Sequence, residues 1–199
     1  MRPTMKKAAG FTMIEILVAL LILLIGLLGL AGVLVTAQRA EVEAYQRKQA
    51  LVLLQDMIDR LTANPLSAAC YAISDASSGA PALGTGYAGS YVCGSGSVSQ
   101  QARAVADLQT WNNALLGSSE KSSGGASVGA IIDARGCVNP TAVAGVYMVS
   151  IAWRGLSATH APLGSLNCGK NEYKDTAGVV DEATRRVISV TIRIANLAV

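Results

Sequence analysis

The stretch GFTMIEILVALLILL, residues 10–24, begins the segment that decides the fold of this chain. Further apolar residues follow it, so that residues 16–38 form 23 consecutive uncharged positions. As an α-helix this run is about 34 Å long, which matches the hydrocarbon core of a bilayer. We therefore predict a transmembrane part over about residues 14–38. Glu15 lies at its start, and a carboxylate at the edge of hydrocarbon is costly enough to need a functional reason.

The preceding segment, MRPTMKKAAG, is short and basic and ends in small residues before Phe11. Because positive flanks stay in the cytoplasm, we expect the rest of the chain to face outward. An ordinary secretory signal places its apolar core before the cleavage site. Here the order is reversed, so cleavage after Gly10 would leave the membrane helix on the mature protein. Met1 and Met5 are alternative starts, the second giving a shorter leader.

Helical spacing continues beyond the membrane segment until Asn64-Pro65, so we predict one helix over residues 11–62. Two apolar stripes lie on nearly opposite faces of its second half. The first stripe is Val42, Tyr45 and Val52, and the second is Leu51, Leu54, Ile58 and Leu61. We expect the first stripe to pack on other helices and the second on the protein's own head.

Residues 66–199 predict a globular head. Its first part, residues 66–98, is rich in Gly, Ser and Ala and predicts a loop with a short strand at 89–93. A second helix is predicted over residues 101–116, and its apolar face consists of Val105, Leu108, Trp111 and Leu115.

Three strands are predicted in the rest of the head, at 127–133, 145–153 and 185–194. The predicted inward side chains are Tyr147, Val149, Ile151, Trp153, Ile188, Val190, Ile192 and Ile194. Polar residues alternate with them in the last strand, which is typical of an antiparallel sheet with one solvated face. The predicted fold class is therefore α+β, a long N-terminal helix with a small antiparallel sheet.

The four cysteines, Cys70, Cys93, Cys137 and Cys168, all follow the apolar helix. They form no C-x-x-C pair and only one histidine accompanies them, so we predict no metal site. Two disulfides in an oxidising compartment explain them better. Spacing does not fix the pairing, but sequential pairs close short loops, which favours Cys70–Cys93 and Cys137–Cys168.

Charge and motifs argue against several classes of function. Three of the 16 Lys and Arg residues lie before Gly10, so the remaining 13 balance the 13 Asp and Glu residues, and no nucleic-acid partner is expected. The pair Arg185-Arg186 is interpreted as solvated charge. The segment GTGYAG, residues 84–89, lacks the strand–turn–helix context of a phosphate loop. His160 has Ser157 nearby but no third catalytic partner, so we predict no enzyme, no cofactor and no small-molecule substrate.

Glu15 acquires a specific role if the chain is cut after Gly10. Phe11, the only phenylalanine, then supplies a cationic amine one helical turn from Glu15. In a helical polymer the amine of one subunit can pair with the carboxylate of its neighbour. Such a pair is strong in a medium of low dielectric constant, and a missing partner leaves a costly buried charge.

These residues carry a family resemblance. GFTMIEILVALLIL, preceded by KKAA, resembles the class III signal of type IV pilins and type II secretion pseudopilins. The resemblance implies that residues 1–10 are a leader, that a prepilin peptidase cuts between Gly10 and Phe11 and methylates the Phe11 amine, and that Glu15 is needed for assembly. The chain has Gly32 where major pilins commonly carry a helix-breaking proline.

Weaker resemblances extend over the head. DLQTWNNALLG, YMVSIAWRGL, CGKNEY and RRVISVTIRI resemble segments of the PilV-type minor pilins, also called type IV pilus modification proteins. This implies a role in priming or capping the pilus, in twitching motility and in adhesion. The implied partners are other minor pilins, the major pilin, the prepilin peptidase, the assembly platform of the inner membrane and its lipid.

The implied location is the inner membrane, as a single-pass protein with its head in the periplasm, and also the pilus. Three alternatives remain: a minor pseudopilin of type II secretion, a DNA-uptake pilin, which the neutral mature body disfavours, and a membrane-anchored periplasmic hydrolase, which lacks a second catalytic partner for His160.

Overall fold

The computed structural model describes residues 10–73, 82–125, 127, 129 and 131–195. The predicted leader, apart from Gly10, lies outside these residues. In chain order the elements are α1 (Met13–Ala63), a 3₁₀ helix (Pro65–Tyr71), β1 (Leu83–Gly84), α2 (Val98–Leu115), β2 (Arg135–Pro140), β3 (Val146–Arg154), a second 3₁₀ helix (Glu182–Thr184) and β4 (Arg185–Arg193). The chain divides into two compact units, one up to Val42 and the other from Glu43 onward.

The first unit contains the N-terminal part of α1. Its described residues are exposed throughout, including large apolar side chains such as Leu28, which is 73% exposed. α1 is long and apolar enough to cross a membrane by length and composition. The predicted long helix is confirmed, since α1 is continuous from Met13 to Ala63 and ends just before Pro65.

The second unit holds an antiparallel sheet of four strands in the order β1-β2-β3-β4. Its register places Val138 of β2 beside Val149 of β3, and Val149 beside Val190 of β4. Together with α1 and α2 this sheet confirms the predicted α+β class.

The main core lies among α1, α2 and one face of the sheet. The residues of α1 that it buries are Ala50, Leu54, Met57 and Leu61. The predicted stripe is thus confirmed at Leu54 and Leu61, and Ile58 is partly buried against the same core. Leu51 is 49% exposed, and Met57 takes a central position instead. On α2 the buried face is Ala104, Leu108, Trp111 and Leu115, and the Trp111 indole N–H donates to the Leu53 carbonyl at 2.8 Å.

A polar network joins the end of α1 to α2 beside this core. The Tyr71 hydroxyl donates to Asp107 Oδ2 at 2.6 Å, and Arg60 Nη1 donates to Asp107 Oδ1 at 2.9 Å. Burial, with the Asp107 hydrogen bond as a further cause, raises the pKa of Tyr71 well above its usual range. The phenol therefore remains a hydrogen-bond donor at physiological pH and fixes α2 against the 3₁₀ helix.

Two of the predicted strands are wrong. Residues 89–93 are irregular, and the strand of this region is β1, at Leu83–Gly84. Residues 128 and 130 of the predicted strand at 127–133 lie outside the described residues, and residues 131–133 are not in a strand. β2 begins only at Arg135, after Asp133 adopts a φ of 59° and turns the chain. The sequence pattern did not indicate β2 because RGCVNP contains Gly and Pro, residues that normally disfavour strands.

Gly136 in β2 has a packing role. A Cβ atom at this position would lie 2.8 Å from Leu115 Cδ1 and closer still to the Trp111 ring. The missing side chain thus lets α2 approach the sheet through its largest buried residue.

Replacing Gly136 by alanine is expected to lower the free energy of unfolding by about 1–3 kcal/mol, because the added methyl group overpacks the core. Thermal unfolding followed by tryptophan fluorescence measures the change. Gly94→Ala is the matched control, since a Cβ at Gly94 meets no atom within 4 Å. An equal melting temperature for the two variants would contradict the packing role of Gly136.

The opposite face of the sheet is less solvated than predicted. Cys137, Ala152, Cys168 and Tyr173 form a second buried cluster there. Ser150, which also lies on this face, is buried. The prediction of a solvated face therefore fails at β2 and β3. It holds at β4, where Ser189, Thr191 and Arg193 are exposed, although Val190 on the core side is also 40% exposed.

The four cysteines form two disulfides, Cys70–Cys93 and Cys137–Cys168, and their Cα atoms lie 4.8 and 5.8 Å apart. These are the sequential pairs that the sequence favours. The second bridge is fully buried in the second cluster, whereas the first borders the main core. The two bridges join residues 23 and 31 positions apart in the sequence, and such a bridge typically contributes about 2–4 kcal/mol by restricting the unfolded chain.

The interpretation of Arg185-Arg186 as solvated charge is wrong. Arg185 is 2% exposed, and its guanidinium pairs with Glu182 and donates to the carbonyls of Leu166 and Cys168. Arg186 donates to the carbonyls of Ala183 and Ser157. Both side chains thus hold the loop between β3 and β4 against the sheet.

Candidate functional site

Residues 10–15 form the start of α1. The Glu15 N–H donates to the carbonyl and to the hydroxyl oxygen of Thr12, at 3.1 and 3.3 Å, so Thr12 caps the helix. Gly10 and Phe11 precede the first helical residue and are exposed, and Phe11 is 78% exposed. A Cβ atom at Gly10 would meet no atom of the described residues within 4 Å. Gly10 and Phe11 are thus both exposed in the part of the chain that the structure describes.

Glu15 lies in the first turn of α1, where the helix dipole favours a negative charge. Its side chain is exposed, and within the described part of the chain it forms no ion pair. The apolar residues that follow are exposed as well. A lone carboxylate therefore stands at the start of a surface that a bilayer or other helices must cover.

The other candidate residues do not gather into a site. His160 is exposed, and the Ser157 hydroxyl donates to Glu43 Oε1 at 3.5 Å. In the GTGYAG segment, β1 ends at Gly84 and a loop leads on to the Ser97 cap of α2. Among the described residues no group of three His, Cys, Asp or Glu side chains is placed to hold a metal ion.

Glu43 forms contacts with the loop after β3 that the sequence pattern did not indicate. Its Oε1 accepts the Leu156 N–H at 3.2 Å and lies 3.7 Å from Arg186 Nη2. These bonds attach the first residue of the second unit to the loop after β3. The helical spacing of α1 did not predict these bonds, because a single glutamate on the polar face of a helix is normally solvated.

Residues 5–31 match the prokaryotic N-terminal methylation motif. The matched segment contains the small residues before Gly10, the Gly10–Phe11 bond, Glu15 and most of the apolar run. Comparison with curated proteins and with solved structures gives no match. The motif supports a type IV pilin or pseudopilin, and it fits a membrane-anchored structural subunit handled by a prepilin peptidase.

Proposed function

We propose that this chain is a minor pilin of a type IV pilus, similar to the PilV-type proteins, and acts in priming or capping the filament. The observation that carries the proposal is the methylation motif at an exposed helix start. The matched segment includes Gly10, Phe11 and Glu15, which supports a cleaved bond before Phe11 and an assembly role for Glu15. The four weaker resemblances in the head favour the PilV type.

In this proposal a prepilin peptidase removes residues 1–10 and methylates the Phe11 amine. The apolar part of α1 anchors the chain in the inner membrane, with the head in the periplasm, until the assembly platform extracts it. Glu15 then pairs with the N-terminal amine of a neighbouring subunit. The partners are other minor pilins and the major pilin, and the resulting filament serves twitching motility and adhesion. No catalytic step is assigned.

The competing proposal of the same class is a minor pseudopilin of type II secretion, since the match at residues 5–31 does not distinguish the two systems. The two differ in the subunits with which the mature chain associates.

Two measurements test the proposal: the intact mass of the membrane form and the identity of the proteins that co-purify with it. We expect its intact mass to correspond to residues 11–199 with two disulfides and one added methyl group, and we expect pilus minor pilins to co-purify with it. An uncut leader, or a cut elsewhere, would refute pilin-type processing. Co-purification with secretion pseudopilins alone would move the chain to the competing class.

A further inference from the structure

We propose that the outer edge of β4 is a binding site for an extended segment of a partner protein. The segment adds a fifth strand to the sheet and places an acidic side chain against Arg193. The edge lies within the second unit.

The geometry of β4 leaves a row of main-chain groups available. β4 is nine residues long and is the last strand in the sheet order. The Ile194 N–H donates to the Gly145 carbonyl at 2.8 Å, which fixes the even-numbered residues as those that face β3. The main-chain N–H and C=O groups of Val187, Ser189, Thr191 and Arg193 therefore point away from the sheet. Within the described residues they form no hydrogen bond with another segment.

This edge lacks the usual protection. Natural edge strands are kept from pairing by charges, proline, bulges or short length. The centre of β4, VISVTI at residues 187–192, contains no charge, glycine or proline and has high strand propensity. The opposite edge is different, because β1 has only two residues and the Ile73 N–H donates to the Val138 carbonyl beyond it. Of the two described edges, β4 alone offers a long template.

A cavity at the C-terminal end of β4 extends this template. Its volume is about 480 Å³, and its lining includes Leu66, Ala69, Tyr147, Arg193 and Ile194. Leu66 is 52% exposed although it is a large apolar residue. A strand paired with β4 can therefore place an apolar side chain in this cavity, which adds side-chain specificity to the main-chain bonds.

The positive charge of Arg193 indicates which kind of segment binds at this edge. Arg193 is exposed and forms no ion pair among the described residues, whereas Arg185 and Arg186 are held by Glu182 and Glu43. Residues 185–195 contain three arginines and no carboxylate, so a second copy of β4 offers nothing to pair with Arg193. An acidic segment of a different protein does. Because the sheet is antiparallel throughout, we place the acidic residue near the N-terminal end of that segment.

The probe is an acetylated peptide, Leu-Asp-Val-Thr-Val-Thr-Val-amide, carrying a fluorophore and titrated against the full-length protein in detergent. Its leucine suits the cavity and its aspartate suits Arg193. The control peptide has lysine in place of aspartate. We expect saturable binding of the acidic peptide, at least tenfold weaker binding of the lysine peptide, and slower hydrogen exchange at the amides of Ser189 and Thr191.

Two matched variants test the edge itself. Ser189→Pro removes an outward N–H and no bond to β3, a position where edge strands tolerate proline, so the fold is retained. It should weaken binding of the acidic peptide at least tenfold, whereas Ser189→Ala should bind as the unaltered protein does. Arg193→Glu should reverse the preference toward the lysine peptide, and this readout does not depend on the proline variant folding.

Several results of these experiments would contradict the proposal. Absence of saturable binding up to millimolar peptide, equal binding of the two peptides, or full binding to Ser189→Pro would overturn the proposal. Dimers that Ser189→Pro abolishes would assign the edge to a second copy, and would overturn the choice of an acidic partner.

Discussion

Replacing Gly10 by valine is expected to leave the leader on the chain and to abolish methylation of Phe11. The described residues tolerate the change, because Gly10 is exposed and a Cβ there would contact none of them. The loss would therefore arise in the enzyme that must bind the extended bond before Phe11, where a branched side chain obstructs close approach to the main chain. Since residues 16–38 keep their length and apolar character, insertion should be unaffected.

The measurement is the intact mass of the membrane form. The variant should retain residues 1–10 and lack the methyl group, with at least a hundredfold less mature product than the unaltered protein. Gly26→Val is the matched control, because Gly26 also has open space around it and lies in the apolar part of α1. Normal cleavage of the Gly10 variant would show that Gly10 does not define the processing site.

The sequence predicted the long helix well, because its signals are local. An uncharged run, helical spacing and Asn64-Pro65 suffice to define α1, and no contact with the rest of the chain is needed. The motif at residues 10–15 was accessible for the same reason, since its residues are consecutive. The cysteine pairing was favoured by loop length, but the sequence could not fix it, because four cysteines allow three connectivities.

The errors fall where tertiary packing overrides local preference. β2 exists because Gly136 makes room for Trp111 and because β3 supplies a partner for every residue from Arg135 to Pro140. Neither condition is visible in RGCVNP. Arg185 is buried because Glu182 and two carbonyl groups of the preceding loop meet its guanidinium. The pair between Arg185 and Glu182 depends on how the loop before β4 folds back, and the alternation of polar and apolar residues in β4 does not reveal that fold.

Glu15→Ala is expected to leave the protein cleaved, methylated, inserted and folded, and to remove it from assembled filaments. The Thr12 cap survives, because its partner is the main-chain N–H of residue 15, which alanine retains. Insertion should if anything become easier when a charge near lipid is removed. What disappears is the partner of the neighbouring subunit's N-terminal amine. Leaving one member of a buried ion pair alone costs about 3–5 kcal/mol, which predicts a loss of incorporation of at least a hundredfold.

The measurement is the amount of each variant in sheared pili divided by its amount in the inner membrane. Glu15→Asp should be intermediate, because the charge remains but its reach is shorter. Glu41→Ala is the matched control, since Glu41 is another exposed carboxylate of α1 without an ion pair among the described residues, yet lies beyond the apolar run. Only Glu15 has a cationic amine one turn away at the proposed mature N-terminus, so only its loss should exclude the subunit. Equal incorporation of Glu15→Ala and Glu41→Ala would reduce Glu15 to a boundary charge at the membrane surface.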